Sequence, residues 1–275
     1  MPFPDIDPIA FSIGPLAVRW YALAYLAGIL LGILYGLQLI SRQTLWAEGR
    51  PPLNREQWLD FGFWAVVGII IGGRLGYVLF YSPLTYVASP IEIFQLWDGG
   101  MSFHGGLAGI CAAMAIMVRM HGGNILSGLD LLACVSPIGL MLGRIANFIN
   151  GELFGRETGL PWGVVFPGGG PVPRHPSQLY EAALEGLLLF LVIRYFTHVA
   201  FSLRRPGLTA GIFGIGYALA RMSVELVRLP DAQIGYLNGD WLTYGMVLSL
   251  PLLLIGLALV LYSLRRKRRP VKMNG

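Results

Sequence analysis

The sequence predicts an all-α polytopic membrane protein with about seven transmembrane helices. Its 275 residues are 55% hydrophobic and only 13% charged, whereas a typical soluble domain is about 25% charged. Apolar runs of about 20 residues recur along the whole chain, and that length crosses a hydrocarbon core of about 30 Å. Both features argue against a soluble fold and favour a single integral membrane domain over residues 1–275.

The predicted spans are joined by short connections, except after the fourth. They lie at about 17–40, 58–81, 102–120, 125–147, 178–198, 208–228 and 241–263. The connection at 148–177 is rich in glycine and proline, which rules out a continuing helix, so we predict an outer loop region there. Small residues repeat in "GILLGILYG" (28–36) and "GIIIGG" (68–73), a pattern typical of closely packed membrane helices.

The distribution of Lys and Arg predicts the orientation. Twelve of them lie on one side of the predicted spans, including those of the basic tail at 264–275, and four lie on the other side. The positive-inside rule therefore places the C-terminus in the cytoplasm and the N-terminus outside. Topology and anionic lipid headgroups explain the net charge of +5 without a nucleic-acid partner. No basic segment precedes the first apolar run, so we expect no cleavable signal peptide.

Polar side chains within the predicted spans gather at one depth, the outer half of the bilayer. A charged residue at the centre of a membrane helix costs about 2.5–3.5 kcal/mol, so each needs a reason. Taken singly, the Arg221–Glu225 pair could be a packing device and His104 an interfacial histidine. Six of the seven spans contribute, however, and packing accidents would scatter along the bilayer normal. The shared depth predicts one polar cavity formed by Tyr21, Arg74, His104, Arg144, Asn147, Asn150, Glu152, Glu181, Glu185, Arg221 and Glu225.

Arginines in apolar surroundings favour an anionic ligand, because a guanidinium group matches phosphate oxygens with two parallel hydrogen bonds. With apolar walls around it, the cavity fits a phospholipid headgroup. The amides of Asn147 and Asn150 could bond to a glycerol or ester oxygen. The carboxylates of Glu152, Glu185 and Glu225 could orient the arginines.

The sequence points to a nucleophile supplied from outside the chain. It has no Ser–His–Asp arrangement, no HExxH motif and no phosphate-binding Gly-rich loop, and no cofactor or metal site is predicted. Cys111 and Cys134 lie inside apolar runs and are predicted to be small buried hydrophobes. His104 is the candidate proton-transfer group, since histidine titrates near neutral pH.

Two other classes of protein remain open at this point. A transporter or channel for a lipid or small anion would use the same arginines as a binding site. Against it stand the lack of an inverted repeat, the one-sided polarity and an apparent lack of charged residues in the inner half of the spans. A structural or assembly protein would leave the polar residues unexplained.

Several stretches resemble the prolipoprotein diacylglyceryl transferase family. "GRIANFINGE" (143–152), followed by "LFGR", is similar to the family signature Gly-Arg-x-small-Asn-Phe-x-Asn-x-Glu. Further blocks match in the family's order across nearly the whole chain. They are "FSIGPLAVRWYALAY" (11–25), "GGRLGYVLFY" (72–81), "WDGGMSFHGGL" (97–107), "RHPSQLYEAALEG" (174–186) and "RMSVELVRLPDAQ" (221–233).

The resemblance implies an enzyme of the bacterial inner membrane whose active site faces the outer leaflet. It would transfer the sn-1,2-diacylglyceryl group from phosphatidylglycerol to the lipobox cysteine thiol of a prolipoprotein signal peptide, releasing glycerol phosphate. By motif, Arg144 would bind the lipid phosphate, Arg221 would stabilise charge on the departing phosphate, and Glu225 would position Arg221. His104 is our hypothesis for the group that helps deprotonate the thiol. The headgroup pocket would be shaped by Asn147, Asn150 and Glu152 and lined by Tyr21 and Arg74.

Overall fold

The computed structural model describes residues 1–4, 6–80, 86, 89–229, 236–238 and 242–266. Within these residues, seven long helices follow the predicted spans to within a few residues. They are α1 (Trp20–Ser41), α2 (Arg55–Phe80), α3 (Phe103–Met120), α4 (Ile125–Ile149), α5 (177–198), α6 (Leu208–Glu225) and α7 (Tyr244–Arg265). Helix α5 combines Ser177–Glu181 and Leu189–His198 around a π-helical turn, Ala182–Leu188. The predicted basic tail lies outside the described residues from position 267 onward.

The helices have the length and composition of a membrane protein. Four are long and apolar enough to cross a bilayer: α1, α2, α4 and the segment Gly245–Arg265 of α7. Helix α3 contains the shorter apolar segment His104–Met120, while α5 and α6 carry charged side chains. Large apolar side chains such as Leu34 and Leu254 are exposed on the outside of the bundle, as expected of helices that face lipid. A helical membrane protein is confirmed, and the total of seven crossings stays a prediction.

Side-chain caps that the sequence provides fix several helix starts. Asn54 and Gln57 form a reciprocal pair before α2, in which each side-chain oxygen accepts the other residue's backbone N–H at 2.9 Å. Ser102 caps α3 and Asn124 caps α4, each by accepting backbone N–H groups of the first turn. These caps set where the helices begin, and Ser102 thereby sets the position of the residues that follow it.

Helices α2 and α3 meet backbone to backbone along a row of glycines. A methyl group added at Gly109 would lie 1.9 Å from the carbonyl oxygen of Gly68, and one added at Gly105 would lie 2.2 Å from that of Gly72. In α1, a methyl group added at Gly28 would lie 3.2 Å from Cα of Gly139 in α4, and one added at Gly36 would lie 2.4 Å from the Trp58 ring of α2. The small-residue contacts predicted for 28–36 and 68–73 are confirmed, because only glycine allows so close an approach.

Shorter elements connect the helices. Strands β1 (Ile9–Ile13) and β2 (Leu16–Arg19) form an antiparallel hairpin directly before α1. Strands β3 (Tyr236–Asn238) and β4 (Leu242–Thr243) pair in the same way before α7. Short 3₁₀ turns lie at Gln43–Leu45, Ala47–Gly49, Pro90–Phe94, Leu96–Asp98 and Ser202–Arg204.

The predicted loop region at 148–177 is ordered by backbone hydrogen bonds. The N–H groups of Val164 and Arg174 each donate to the other residue's carbonyl oxygen, at 2.9 and 2.8 Å. The Arg156 N–H donates to the Val227 carbonyl oxygen at 2.8 Å, which ties the loop to the end of α6. Phe166 is buried beneath the loop and stacks on Phe154, with ring centroids 5.1 Å apart. The loop therefore packs on the same end of the bundle as the predicted polar residues.

The two ends of the bundle bury different residues. Where α1, α3 and α5 finish, apolar side chains from four helices are fully buried, among them Leu39, Val118, Leu131 and Ile193. At the opposite end, where α4 and α6 finish, several charged side chains are buried, whereas among the described residues Asp130 is the one buried charge at the first end. We call this opposite end the site end.

Candidate active site

Three helices bring six charged side chains together at the site end. Helix α4 supplies one arginine near its last turn, and α5 supplies two glutamates at its π-helical turn. Helix α6 and the residues just after it supply the other three. We call this group the arginine–glutamate cluster: Arg144, Glu181, Glu185, Arg221, Glu225 and Arg228.

Glu181 lies at the centre of the cluster. Its Oε1 forms ion pairs with Arg221 and, at 3.5 Å, with Arg228. Its Oε2 lies 3.3 Å from Nη1 of Arg144. One carboxylate therefore contacts three guanidinium groups. Because the side chain is 0% exposed, its charge depends on these cations for stabilisation.

Glu185 and Glu225 complete the contacts on either side. Oε2 of Glu185 accepts a hydrogen bond from Nη2 of Arg144 at 3.3 Å, and its Oε1 lies 3.9 Å from Nη1 of Arg221. Glu225 pairs with Arg221 one turn before it and lies 3.8 Å from Arg228. Each arginine of the cluster is thus shared between two or more carboxylates, so the guanidinium groups are held in place before any ligand binds.

The start of α7 fixes Glu225. The Thr243 hydroxyl donates to Oε2 of Glu225 at 2.6 Å. The same oxygen of Thr243 accepts the backbone N–H of Met246 and so caps α7. Gly245 lies so close that an added methyl group would be 2.6 Å from Oε1 of Glu225. Helix α7 therefore contributes to the site without supplying a charge.

The arginines lie nearer to the surface of the cluster than the glutamates do. Their side chains are 16% (Arg144), 14% (Arg221) and 9% (Arg228) exposed, against 0 to 4% for the three glutamates. The accessible side of the cluster is therefore positive, although three cations and three carboxylates meet in it. In surroundings of low dielectric constant such a surface attracts an anion strongly, and the fork of an arginine matches phosphate oxygens.

A second group of side chains, the tyrosine–asparagine network, lies one turn further along α4. The hydroxyls of Tyr21 and Tyr25 are 3.0 Å apart, and the Asn147 side chain lies close to Tyr21. Nδ2 of Asn147 donates to Oε1 of Glu152 at 2.8 Å, and Nδ2 of Asn150 donates to the same oxygen at 3.4 Å. The structure thus brings together all four predicted pocket residues of this region, with Glu152 exposed at the outside.

Arg74 lies elsewhere. It is buried in α2 and donates to the backbone carbonyl oxygens of five residues: Glu92, Ile93, Gln95, Gly99 and Gly100. Gly99 and Gly100 have φ values of 80° and 79°, which favour glycine and turn their carbonyl groups towards Arg74. The structure places Arg74 under the segment that leads into α3 and not in the arginine–glutamate cluster. Direct contact with a headgroup stays a prediction.

His104 lies in the first turn of α3 and its side chain is exposed. The Ser102 cap and the glycine contact at Gly105 hold this turn against α2. The positive charge of Arg221 is near enough to interact electrostatically with the His104 ring. The structure therefore brings the predicted proton-transfer group close to the arginine–glutamate cluster from a fourth helix.

Sequence reasoning missed part of the site. The sequence indicates that Glu181 is a polar residue of its span but gives it no role, and it does not single out Arg228. Tyr217, buried in α6 within electrostatic range of Glu185 and Arg221, was not singled out. The i,i+4 spacing of Glu181 and Glu185 and the i,i+3 spacing from Glu225 to Arg228 are the signals that could have found them.

One fully buried carboxylate lies far from the site end, in the second turn of α4. Oδ2 of Asp130 accepts the N–H of Gly207 at 2.7 Å, and Oδ1 accepts that of Ala210 at 2.8 Å. These groups begin α6, so Asp130 caps that helix from a different one. The expectation that the inner half of the spans lacks charged residues is wrong here, and the geometry gives this charge a structural explanation.

Within the described residues, no group of three or more His, Cys, Asp or Glu side chains is arranged to hold a metal ion. Three cations, a nearby imidazole and a ring of amide and hydroxyl groups can bind an anion and move a proton.

Comparison with known proteins gives a consistent result. The family model described as "Prolipoprotein diacylglyceryl transferase" matches residues 8–262. A protein of Rhizobium meliloti (strain 1021) named phosphatidylglycerol–prolipoprotein diacylglyceryl transferase is 57% identical over 94% of this chain and 92% of its own length. Proteins of the same name are 55% identical in Rhizobium leguminosarum bv. trifolii (strain WSM2304), over 100% of this chain and 96% of their own, and 55% in Agrobacterium fabrum, over 95% and 93%.

Proposed function

The chain belongs to the prolipoprotein diacylglyceryl transferase family, and on that premise we propose that it transfers the diacylglyceryl group of phosphatidylglycerol to a prolipoprotein at the arginine–glutamate cluster. The observation that carries this proposal is the group of three guanidinium groups, each more exposed than the buried glutamates behind it. Around it lie apolar helices whose exposed surfaces suit acyl chains. Such a site binds the phosphate of a lipid while the lipid's tails stay in the bilayer.

The acceptor is the thiol of the lipobox cysteine that follows the prolipoprotein signal peptide. Its sulfur attacks the carbon of the diacylglyceryl group that is bonded to the phosphate oxygen. A C–S bond forms, the C–O bond to phosphate breaks, and glycerol phosphate leaves with the electron pair. The chain itself supplies no nucleophile, so its task is to hold the lipid, stabilise the charge on the leaving phosphate and accept the thiol proton.

Two arginines share the work on the phosphate. Arg144 is the more exposed and its contacts with Glu181 and Glu185 are 3.3 Å long, so it is the group that meets the phosphate of the bound lipid. Arg221 is held between Glu181 and Glu225. Its fixed position lets it stabilise the charge that develops on the departing oxygen without rearranging during the reaction.

Other residues prepare the reactants. His104 accepts the thiol proton and passes it to solvent, so the phosphate leaves as a dianion. The hydroxyl and amides of Tyr21, Asn147 and Asn150 bind the headgroup glycerol, and Glu152 orders them. Arg74 acts through the backbone of the segment 92–100, whose carbonyl groups it gathers in front of α3. Glu185 and Glu225 keep the arginines oriented.

The enzyme works from the inner membrane of a bacterial cell, with seven crossings, the N-terminus outside and the active site towards the outer leaflet. The biased distribution of Lys and Arg supports this orientation. The outer leaflet is also where the cysteine of an exported prolipoprotein becomes accessible.

A transfer assay with two peptides tests the function. Purified protein in detergent is incubated with phosphatidylglycerol labelled in its acyl chains and with a lipobox peptide that carries Cys, or Ser in the same position. We expect label on the Cys peptide, none on the Ser peptide, and one glycerol phosphate released for each peptide modified. An unlabelled Cys peptide would contradict the proposal. Movement of labelled lipid across vesicles without peptide labelling would favour a transporter.

A further inference from the structure

We propose that Glu181 is a positioning residue that balances the charge of the three arginines, so that the cluster binds a phosphodiester monoanion and releases a phosphomonoester dianion. The inference rests on the proposed function for the identity of substrate and product. Arginines that bind phosphate would also retain the product, and the inference explains how glycerol phosphate dissociates from them.

The geometry singles out Glu181 among the carboxylates. It alone among the described glutamates contacts Arg144, Arg221 and Arg228 together. Glu185 contacts the first two, and Glu225 contacts the last two. Glu181 is also at the back of the cluster with a side chain that is 0% exposed, so it sets the spacing of the cations without occupying the accessible side.

The charges of the reactants make a balanced cluster useful. Phosphatidylglycerol carries one negative charge on its phosphate, whereas glycerol phosphate carries close to two near pH 7, since the second pKa of a phosphate monoester is about 6. Three arginines without nearby carboxylates would hold the dianion more tightly than the monoanion. Within the described cluster, the negative charges of three glutamates offset the positive charges of three arginines. Phosphatidylglycerol and glycerol phosphate then bind mainly through the positions of individual guanidinium groups, and less through the net charge of the cluster.

The variant Glu181→Gln separates this role from a merely structural one. It keeps the size of the side chain and an oxygen that accepts from the arginines, and it removes one negative charge. Coulomb energy is linear in ligand charge, so the fold-change for a dianion is the square of that for a monoanion. We expect KM for phosphatidylglycerol to fall about threefold and the inhibition constant of glycerol 1-phosphate to fall about tenfold. We also expect kcat to fall as product release slows.

Two matched variants serve as controls. Glu181→Asp keeps the charge but shortens the side chain, so the inhibition constant should stay near that of the unmodified protein while kcat decreases. Glu157→Gln removes a carboxylate from an exposed ion pair with Arg174, 3.5 Å long, and should change neither constant. Together they distinguish charge balance, spacing and a general effect of losing one negative charge.

Each outcome of these measurements either supports or overturns the proposal. Tighter inhibition by glycerol 1-phosphate in Glu181→Gln supports the proposal. A damaged fold cannot produce this result, because it would weaken binding. Unchanged or weaker inhibition overturns the proposal. If that variant does not fold in detergent, Glu185→Gln removes a carboxylate from the same cluster, and the same result is expected. Calorimetric titration with glycerol 1-phosphate needs no turnover. It therefore tests the charge balance even if the transfer assay fails, which would count against the proposed function alone.

Discussion

The arginine–glutamate cluster and the Asp130 cap are two ways of burying carboxylates in the same bundle. Both carboxylate oxygens of Asp130 accept backbone N–H groups at 2.7 and 2.8 Å, so each oxygen has a hydrogen-bond donor. In the cluster, Oε2 of Glu181 and Oε1 of Glu185 are buried, and within the described residues neither accepts a hydrogen bond. These oxygens rely on ion pairs of 3.3 and 3.9 Å.

The difference separates structural charges from functional ones. A carboxylate that is fully hydrogen-bonded to backbone is stable as it is, and its loss affects folding. In the cluster each arginine has two or more carboxylate partners, so one contact can give way to a ligand while another remains. We therefore expect substitutions in the cluster to reduce transfer and leave the fold intact, and substitutions at Asp130 to do the reverse.

Arg144→Ala should give the largest effect. Loss of the guanidinium group that we propose to bind the lipid phosphate is expected to reduce kcat/KM for transfer about 10²–10³-fold, the usual cost of removing one electrostatic contact to a transition state. The unfolding midpoint in detergent should change little. Arg119→Ala, at an exposed arginine at the end of α3, is the control and should retain full activity. Substantial turnover by Arg144→Ala would remove the residue from the site.

His104→Gln should reduce kcat about 10²-fold, because a general base contributes roughly that much. A full pH–rate profile is the informative measurement, since the limb assigned to the imidazole should disappear. His121→Gln, at the other end of the same helix, replaces an exposed histidine whose ring contacts a carbonyl oxygen and should leave the profile unchanged. If His104→Gln kept both rate and profile, another group would be the base.

Asp130→Ala should reverse the pattern. Two backbone N–H groups at the start of α6 would lose their acceptor, and the free energy of unfolding should fall by about 2 kcal/mol. The transfer rate per folded molecule should stay within about twofold of the unmodified protein. Asp60→Ala, at an exposed carboxylate of α2, should not change stability. A large loss of specific activity at full folding would show that the contrast between the two regions is false.

Tyr25→Phe should give the smallest effect. It removes the hydroxyl that contacts Tyr21 at 3.0 Å and leaves Asn147 in place beside Tyr21. One neutral hydrogen bond contributes about 1 kcal/mol, so we expect KM for phosphatidylglycerol to rise a few-fold at unchanged kcat. Tyr195→Phe, at an exposed tyrosine of α5, is the matched control. A loss as large as that of Arg144→Ala would give the tyrosine–asparagine network a catalytic role.

The sequence was sufficient for the helices and for much of the site, and the reason is physical. Apolar runs and small-residue spacing are local patterns, and they predicted every long helix and the glycine contact at Gly68 and Gly72. The common depth of polar residues predicted that Arg144 and Arg221 meet. The partners of Glu181 could not be predicted, because which of several arginines a carboxylate contacts depends on how three helices pack.

Arg74 and Asp130 were harder for a related reason. Both use backbone groups as partners, and a sequence shows no pattern for the direction of a carbonyl or N–H group in a distant segment. Arg74 binds carbonyl groups about 20 residues away, from Glu92 to Gly100, and Asp130 binds N–H groups about 80 residues away. A charged residue within a span thus signals that a partner exists but does not say what it is.

The π-helical turn at Ala182–Leu188 makes the site sensitive to chain length as well as to residue identity. Each residue of an α-helix rotates the chain by about 100° and advances it by about 1.5 Å, and a π turn holds an extra residue. Deleting Ala182, Ala183 or Leu184 would keep every arginine and glutamate of the cluster, yet would turn Glu181 about a quarter of a circle relative to Glu185, with which it shares Arg144 and Arg221. A relative with identical charged residues and one residue fewer in this turn should therefore have lost the activity.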